Sequence, residues 1–134
     1  MAVLAPTPAI LRSYRLSRYE AGGAVLHVGR IATGLDADWA ARLAGGGLVL
    51  LSACNPGGRR QPDGWNDRMM RRLAEALGRV PHAPGHGRLG IWSEALVLAA
   101  LDRRRGIALA RRFRQNAVIL VARDRRVKLH LLVA

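Results

Sequence analysis

Runs of apolar residues recur along the chain at spacings that predict strands between helices. Leu48 to Ala53 is a continuous apolar segment, which is typical of a strand buried on both faces. Ile91 to Leu101 contains a second run of this kind. Two further strands are predicted over 117–122 and 127–133, separated by a charged turn. These four segments form the predicted centre of a β-sheet.

Weaker signals come from the N-terminal part of the chain and from residues 80–90. Residues 1–13 are predicted to be a loose lead-in. A hairpin is predicted from strands over 14–20 and 24–31, joined at 21–23, because the glycines there tolerate positive φ. Residues 80–90 are rich in proline and glycine, and they are predicted to form a short strand at most, followed by a loop.

Three helices are predicted between the strands. Asp36 is a suitable N-cap for a helix that extends to Ala44, where three glycines follow. A second helix is predicted over 62–77, opened by a proline and carrying apolar residues at helical spacing. Asp102 caps a third helix that runs to Arg114.

The order of these elements predicts one compact α/β (α+β) domain over residues 14–134. Strands alternate with helices after an initial pair of strands, which favours a mixed sheet of about five to six strands packed with three helices. The chain has 134 residues, of which 50% are hydrophobic. It is therefore long enough for one core and too short for two ordinary domains.

Charge adds a second feature, because the formal net charge is +13. So strong a positive field attracts nucleic acid and other polyanions. The basic residues are almost all arginines, with Lys128 as the only lysine. This bias resembles the effect of GC-rich codon usage, so compositional drift is an alternative explanation of the charge.

The low number of cysteines and of candidate metal ligands indicates the cellular compartment and the cofactors to expect. Cys54 is the only cysteine, so no internal disulfide can form, which fits a reducing compartment. The N-terminal sequence makes a poor signal peptide, and no apolar run approaches the length of a membrane span. His82 and His86 lie in a loop without a third ligand. We therefore expect a cytoplasmic protein with no membrane association, no metal and no cofactor.

The loop over 54–60 follows the first buried strand, where ligands often bind. Its spacing C-x-x-G-x-x-R, formed by Cys54, Gly57 and Arg60, is that of a cysteine phosphatase loop. No histidine precedes Cys54, no serine or threonine follows Arg60, and two residues separate this arginine from the predicted helix. A plain buried cysteine is the favoured interpretation.

Amide side chains and one carboxylate lie at the ends of predicted strands and helices. They either cap chain ends or converge with a tryptophan on a small polar ligand. Glu94 enters a buried strand, where desolvation would raise its pKa unless an arginine pairs with it. A paired, structural role is favoured there over general acid–base chemistry. The members of this set are Asn55, Asn66, Trp92, Glu94, Gln115 and Asn116.

Arginines crowd the polar side of the third predicted helix, where acidic residues are scarce. Such a side is most often simply solvated, and a surface that contacts nucleic-acid phosphates is the alternative. The residues are Arg103, Arg104, Arg105, Arg111, Arg112 and Arg114.

Several short motifs in this order and spacing resemble a bacterial family, the domain of unknown function 3293, over about residues 14 to 132. The motifs are Tyr14 and Tyr19, Gly29-Arg30, Ala53-Cys54-Asn55-Pro56, Asn66, Trp92-Ser93-Glu94 and Arg112-Phe113-Arg114-Gln115-Asn116-Ala117. Two positions depart from the family pattern, since Ala95-Leu96 stand where Pro-Ser is usual and Arg114 where glycine is usual. The resemblance implies the fold and implies that the amides, Trp92 and Glu94 act together at one end of the sheet; it implies no particular reaction.

The leading hypothesis is a binding domain for a small polar or nucleotide-like anionic ligand. Trp92 would stack on the ligand, Glu94 and the amides would read its hydrogen-bonding edge, and Arg59 or Arg60 would meet a phosphate. One alternative is sequence-independent nucleic-acid binding through the arginine-rich helix. Another is a phosphatase or other hydrolase that uses Cys54 or Glu94. No catalytic residue is assigned.

Overall fold

The computed structural model describes residues 7–132 of the chain. Within that range it contains four α-helices, seven β-strands and one short 3-10 turn over Pro56–Gly58. The elements are α1 Pro8–Leu16, β1 Arg18–Ala21, β2 Ala24–Leu26, α2 Ala37–Gly45, β3 Leu48–Leu51, α3 Asp63–Leu77, β4 His82–Leu89, β5 Trp92–Ala99, α4 Arg103–Arg112, β6 Ala117–Val121 and β7 Val127–Leu131.

The strands form one sheet in the order β2-β1-β4-β5-β3-β6-β7. Every neighbouring pair is antiparallel, whereas a mixed sheet was predicted. The reason lies in the helical connections α2, α3 and α4. Each joins two strands that run in the same direction, but at least one oppositely directed strand always lies between them. The predicted single α/β (α+β) domain is confirmed, with one more helix and more strands than expected.

Helices cover both faces of the sheet, so the protein has two cores. Along β3 the side chains of Leu48 and Leu50 pack on the face covered by α2, and those of Val49 and Leu51 pack on the face of α3 and α4. All four are almost fully buried, as the continuous apolar run predicted. A fully buried aliphatic side chain contributes roughly 1.5–3 kcal/mol. The central strand therefore anchors both layers.

The N-terminal part differs most from the prediction. Residues 8–16 form helix α1 instead of a lead-in followed by a strand. The helix is started by Thr7, whose side-chain oxygen accepts a hydrogen bond from the Ile10 amide at 3.2 Å, and by Pro8 in the first turn. Strand β1 begins only at Arg18. Residues 1–6 of the predicted lead-in lie outside the described range.

Strand β4 is also longer than predicted, since it occupies most of the segment assigned to a loop. It pairs with β1 on one side and with β5 on the other, and its glycines make this possible. A Cβ on Gly85 would collide with the Glu20 carbonyl, and one on Gly87 would lie 2.9 Å from the ring of Tyr19. Tertiary pairing therefore overrides the low strand propensity of glycine and proline.

The remaining elements lie within a few residues of their predicted limits, except that β2 ends at Leu26 instead of extending to residue 31. A turn over 27–30 interrupts it, where Gly29 has φ of +85°. No helix among residues 7–132 is long and apolar enough to cross a membrane.

Candidate functional site

A cavity of about 350 Å³ opens at one end of the sheet. At this end β3 and β4 finish, and β1, β5 and β6 begin. Helix α1 lies across the opening and forms one wall. Because the sheet is antiparallel, residues that are far apart in sequence, at strand ends and strand starts, meet here.

Most of the predicted site residues line this cavity. The side chains of Asn55, Arg60, Trp92, Glu94, Gln115 and Asn116 do so. Asn66 lies directly behind Asn55 and contacts it. Arg59 is exposed and does not line the cavity. The structure thus brings together the polar set that the sequence predicted, apart from one arginine.

Asn55 and Asn66 are locked to each other by two hydrogen bonds. The backbone N–H of Asn55 donates to Asn66 Oδ1 at 3.0 Å, and the side-chain Nδ2 of Asn66 donates to Asn55 Oδ1 at 3.0 Å. Asn55 Oδ1 also accepts the backbone N–H of Gln61 at 2.8 Å. Since this oxygen serves two donors, the orientation of the Asn55 amide is fixed, and Nδ2 faces Glu94 Oε1 at 3.3 Å.

Gln115 connects the β3 end to the turn before β6. Its Nε2 donates to the Cys54 carbonyl at 3.0 Å and to the Phe113 carbonyl at 3.2 Å. Arg114 has φ of 55°, so the turn before Gln115 is left-handed although its residue has a side chain. Its carbonyl accepts the N–H of Gly57 at 2.7 Å. Both contacts hold the loop after β3 against the end of α4.

Asn116 is a deeply buried polar residue of the cavity, with 3% of its surface exposed. Its Oδ1 has no hydrogen-bond partner within the described range. Gly58 packs against the amide so closely that a Cβ at this position would lie 2.7 Å from Asn116 Nδ2. A buried acceptor without a partner is costly, so this oxygen is a candidate to accept a hydrogen bond from a ligand.

Glu94 projects from β5 into the cavity, on the same face as Trp92 and Leu96, because alternate residues of a strand share a face. Burial raises the pKa of Glu94 from 4.5 to about 7, and the hydrogen bond from Asn55 opposes that rise. The predicted arginine partner is not present, since Glu94 forms no ion pair with any residue of 7–132. A carboxyl group with a pKa near neutrality can both accept and donate a proton.

Helix α1 supplies cavity residues that the sequence analysis did not assign to the site. Ile10, Ser13, Tyr14 and Ser17 follow helical spacing on its inner side, and Tyr19 of β1 lies beside them. Burial and the charge of Glu94 raise the pKa of Tyr14 to about 12; the neighbouring Asn116 amide acts against this rise without completing a well-aligned hydrogen bond. The capping pair Thr7-Pro8 and this spacing were the signals that could have revealed the helix.

Comparison with known proteins places the chain in a family. The model of a family described as "Protein of unknown function (DUF3293)" matches residues 51–118, just over half of the chain. The chain belongs to this family. No curated protein and no solved structure gives a significant match. The resemblance noted from the sequence is thereby confirmed, and the matched region contains the amides, Trp92 and Glu94.

The cysteine of this DUF3293 protein is not placed as a nucleophile would be. Cys54 is buried and does not line the cavity. Desolvation raises the pKa of its thiol, with Glu94 and Asp67 acting in the same direction against a hydrogen bond from Ser52. A reactive cysteine needs the opposite environment, in which positive charge favours the thiolate.

The arginines predicted on the third helix lie on α4 and in the turn after it, on the sheet face opposite α1. All six are exposed. None of them forms an ion pair with an acidic residue within 7–132; one guanidinium, that of Arg103, contacts a histidine ring, with Nη2 3.3 Å from His130 Nδ1. Helix α3, in the same layer, adds three exposed arginines, Arg68, Arg71 and Arg72. The DUF3293 protein therefore carries a basic layer on one face and its cavity on the other.

Proposed function

We propose that this DUF3293 protein is a binding domain for a small, nucleobase-sized polar ligand that enters the cavity beneath α1. The observation that supports this most directly is the set of amide side chains fixed by hydrogen bonds around a concave, largely apolar space. A volume of about 350 Å³ is small for a ligand pocket and suits a molecule of one or two rings. Groups already fixed in place lose little entropy when a ligand binds.

Each wall of the cavity has a part in this proposal. Trp92, which is 45% exposed, stands at the mouth and would stack on a flat ligand. Leu89 and Leu96 offer apolar contact, while Asn55 and Gln115 would read the polar edge. Arg60 at the mouth would meet a phosphate if the ligand carries one.

The test compares two neighbouring residues at the tip of the β4–β5 hairpin. Trp92 lines the cavity, whereas Ile91 is fully exposed and does not. We expect native mass spectrometry of protein purified under high salt to detect an adduct of a few hundred daltons. Trp92→Ala should lose the adduct and Ile91→Ala should keep it. An adduct retained equally in both variants would contradict the proposal.

Nucleic-acid binding through α4 is the second candidate, favoured by six exposed arginines that have no carboxylate partner in the described part of the chain. Phosphate contacts make affinity fall steeply with salt. Binding of a fluorescent oligonucleotide should therefore weaken strongly when salt rises, and replacing Arg103, Arg104 and Arg105 by serine should flatten the dependence. Replacing Arg12 and Arg15 of α1 provides the control. A salt-independent affinity would argue against this candidate.

We also infer a cytoplasmic, bacterial setting. The only cysteine is free and buried, which suits a reducing compartment.

A further inference from the structure

Three of the four hydroxyl groups that line the cavity have already donated their hydrogens within the protein. Ser13 Oγ donates to the Ala9 carbonyl at 3.0 Å, and Ser17 Oγ donates to the Ser13 carbonyl at 2.6 Å. Tyr19 Oη donates to the Tyr14 carbonyl at 3.2 Å. A hydroxyl has one hydrogen and two lone pairs, so each of these three oxygens can only accept a further hydrogen bond.

The same holds for the polar end of the cavity. Both Nε2 hydrogens of Gln115 are directed to backbone carbonyls, which leaves Oε1 as the free atom of this amide. Glu94 accepts one hydrogen bond, from Asn55, and its second oxygen has no partner within the described range. Asn116 Oδ1 is a further acceptor without a partner.

Few donors remain to balance these acceptors. Asn55 Nδ2 has one hydrogen beyond the bond to Glu94, the Asn116 amide and the Tyr14 hydroxyl each offer hydrogens, and the Trp92 indole N–H and Arg60 lie at the mouth. Among the lining residues, Glu94 is the only carboxylate. A negatively charged ligand group in the interior would thus face oxygen lone pairs and a carboxylate, which is unfavourable.

We propose that the cavity takes a planar ligand with adjacent N–H donors, such as an amidine, a guanidine or an amino-substituted heterocycle, and that these N–H groups bind Glu94 and Gln115 Oε1. This rests on the proposed function, and it replaces the anionic ligand expected from the net charge with an N–H donor. A carboxylate receives a pair of N–H groups in a bidentate arrangement, and charge-assisted bonds of this kind are the strongest available to it.

Benzamidine and benzoate test the proposal as a matched pair of probes. Both have a flat ring and a planar head group of similar size, but the first head group donates N–H bonds and the second only accepts. Titrations followed by ¹H–¹⁵N NMR would report on the Trp92 indole and the side-chain amides of Gln115 and Asn55. We expect benzamidine to bind in the cavity at least about tenfold more tightly than benzoate at pH 8.

Glu94→Gln should reduce this preference to less than about threefold, because the variant keeps the size of the side chain and removes its charge. Glu75→Gln, an exposed carboxylate on α3, is the matched control and should leave the preference unchanged. Affinity of the wild type for benzamidine should also rise from about pH 6 to about pH 8, as Glu94 loses its proton. The other titratable or charged groups near it are Tyr14, Tyr19 and Cys54, whose pKa values are raised, and Arg60.

The outcomes separate the two proposals. If benzoate perturbs the cavity signals as strongly as benzamidine, or more strongly, the cavity is a binding site and the N–H donor class is wrong. If neither probe perturbs them at millimolar concentration, both the donor class and the binding function are contradicted. Equal preference in wild type and Glu94→Gln would remove Glu94 from the recognition of the head group.

Discussion

The cavity beneath α1 and the helical layer of α3 and α4 use polar residues in opposite ways. Around the cavity a few polar side chains are each oriented by one or more hydrogen bonds, as Asn55 and Gln115 are. On the helical layer charges are plentiful, and none of the arginines of α4 is paired with a carboxylate within 7–132. The many exposed charges and the few side chains fixed by hydrogen bonds therefore lie in different regions of this protein.

The difference shows why net charge is a poor guide to this site. A total of +13 suggests an anionic partner, yet Glu94 is the only carboxylate among the described residues that line the cavity, and it has no arginine partner within 7–132. Exposed charges are screened by water and contribute little to stability. Buried, oriented groups carry larger energies of either sign. Substitutions should consequently have large effects at the cavity and small ones on α4.

Asn55→Ala provides the largest contrast. The variant removes the oxygen that accepts hydrogen bonds from the Gln61 N–H and from Asn66 Nδ2. It also places an alanine at φ of 47°, a left-handed conformation that alanine tolerates less well than asparagine. We expect a loss of about 3 kcal/mol in the free energy of unfolding, measured with urea. Arg104→Ala on α4 should change it by less than about 0.5 kcal/mol. Similar losses for the two variants would break the comparison.

Glu94→Gln should change how stability depends on pH. The folded-state pKa of about 7 lies above the ordinary 4.5, so the protonated carboxyl is favoured by folding. Its contribution is fully present below about 4.5 and is lost as pH rises through about 7. Between pH 4 and pH 8 the wild type should therefore lose about 2–3 kcal/mol of unfolding free energy that the variant, which has no titrating group at this position, keeps. Parallel stability curves from pH 4 to pH 8 would show that Glu94 is well solvated.

The sequence predicted the residues of the cavity better than its walls. Asn55 and Gln115 lie next to long apolar runs, and the family resemblance implied that they and Glu94 act together at one end of the sheet. Helix α1 was missed because Tyr14 and Leu16 alternate as strand residues do, although Tyr14 faces the cavity and Leu16 is exposed. Local pattern gives no information on what a short segment packs against.

Two other differences have a tertiary origin. A short strand at most, followed by a loop, was predicted over 80–90 because its glycines and Pro84 disfavour strands in isolation. In the structure β4 pairs on both sides, and the missing side chain of Gly87 leaves room for the ring of Tyr19. Glu94 was expected to pair with one of the many arginines, but the cavity places it among amides, tyrosines and leucines. Composition predicts how common a partner is and says nothing of whether its side chain can reach.

Gly58→Ala and Gly57→Ala form a third test, with an intermediate effect. Both glycines have positive φ, so both variants bear a similar backbone cost of about 1 kcal/mol. A Cβ on Gly58 would meet Asn116 Nδ2 at 2.7 Å and Ile10 Cδ1 at 3.4 Å, whereas one on Gly57 has nothing within 4 Å. We expect Gly58→Ala to lose about 1–2 kcal/mol more and to shift the Asn116 side-chain amide signals. Equal losses would mean that Asn116 moves aside freely.

Arg114→Gly should have the smallest effect, at the point where α4 meets the cavity end. The exposed Arg114 has φ of 55°, a left-handed conformation. It lowers the stability of the fold by roughly 1 kcal/mol for a residue with a side chain and by little for glycine. Greater freedom of glycine in the unfolded chain offsets part of this gain, so the variant should be more stable by about 0.5 kcal/mol.

Arg111→Gly, an exposed position in the last turn of α4, is the control and should be less stable by up to about 1 kcal/mol, because glycine has a lower helix propensity than arginine. If urea denaturation shows a gain of stability for Arg114→Gly and a loss for Arg111→Gly, the junction requires the left-handed turn before Gln115 and not the arginine charge. If Arg114→Gly instead loses stability, the arginine side chain contributes a contact worth more than its backbone strain. The separation between basic layer and cavity would then not hold at this residue.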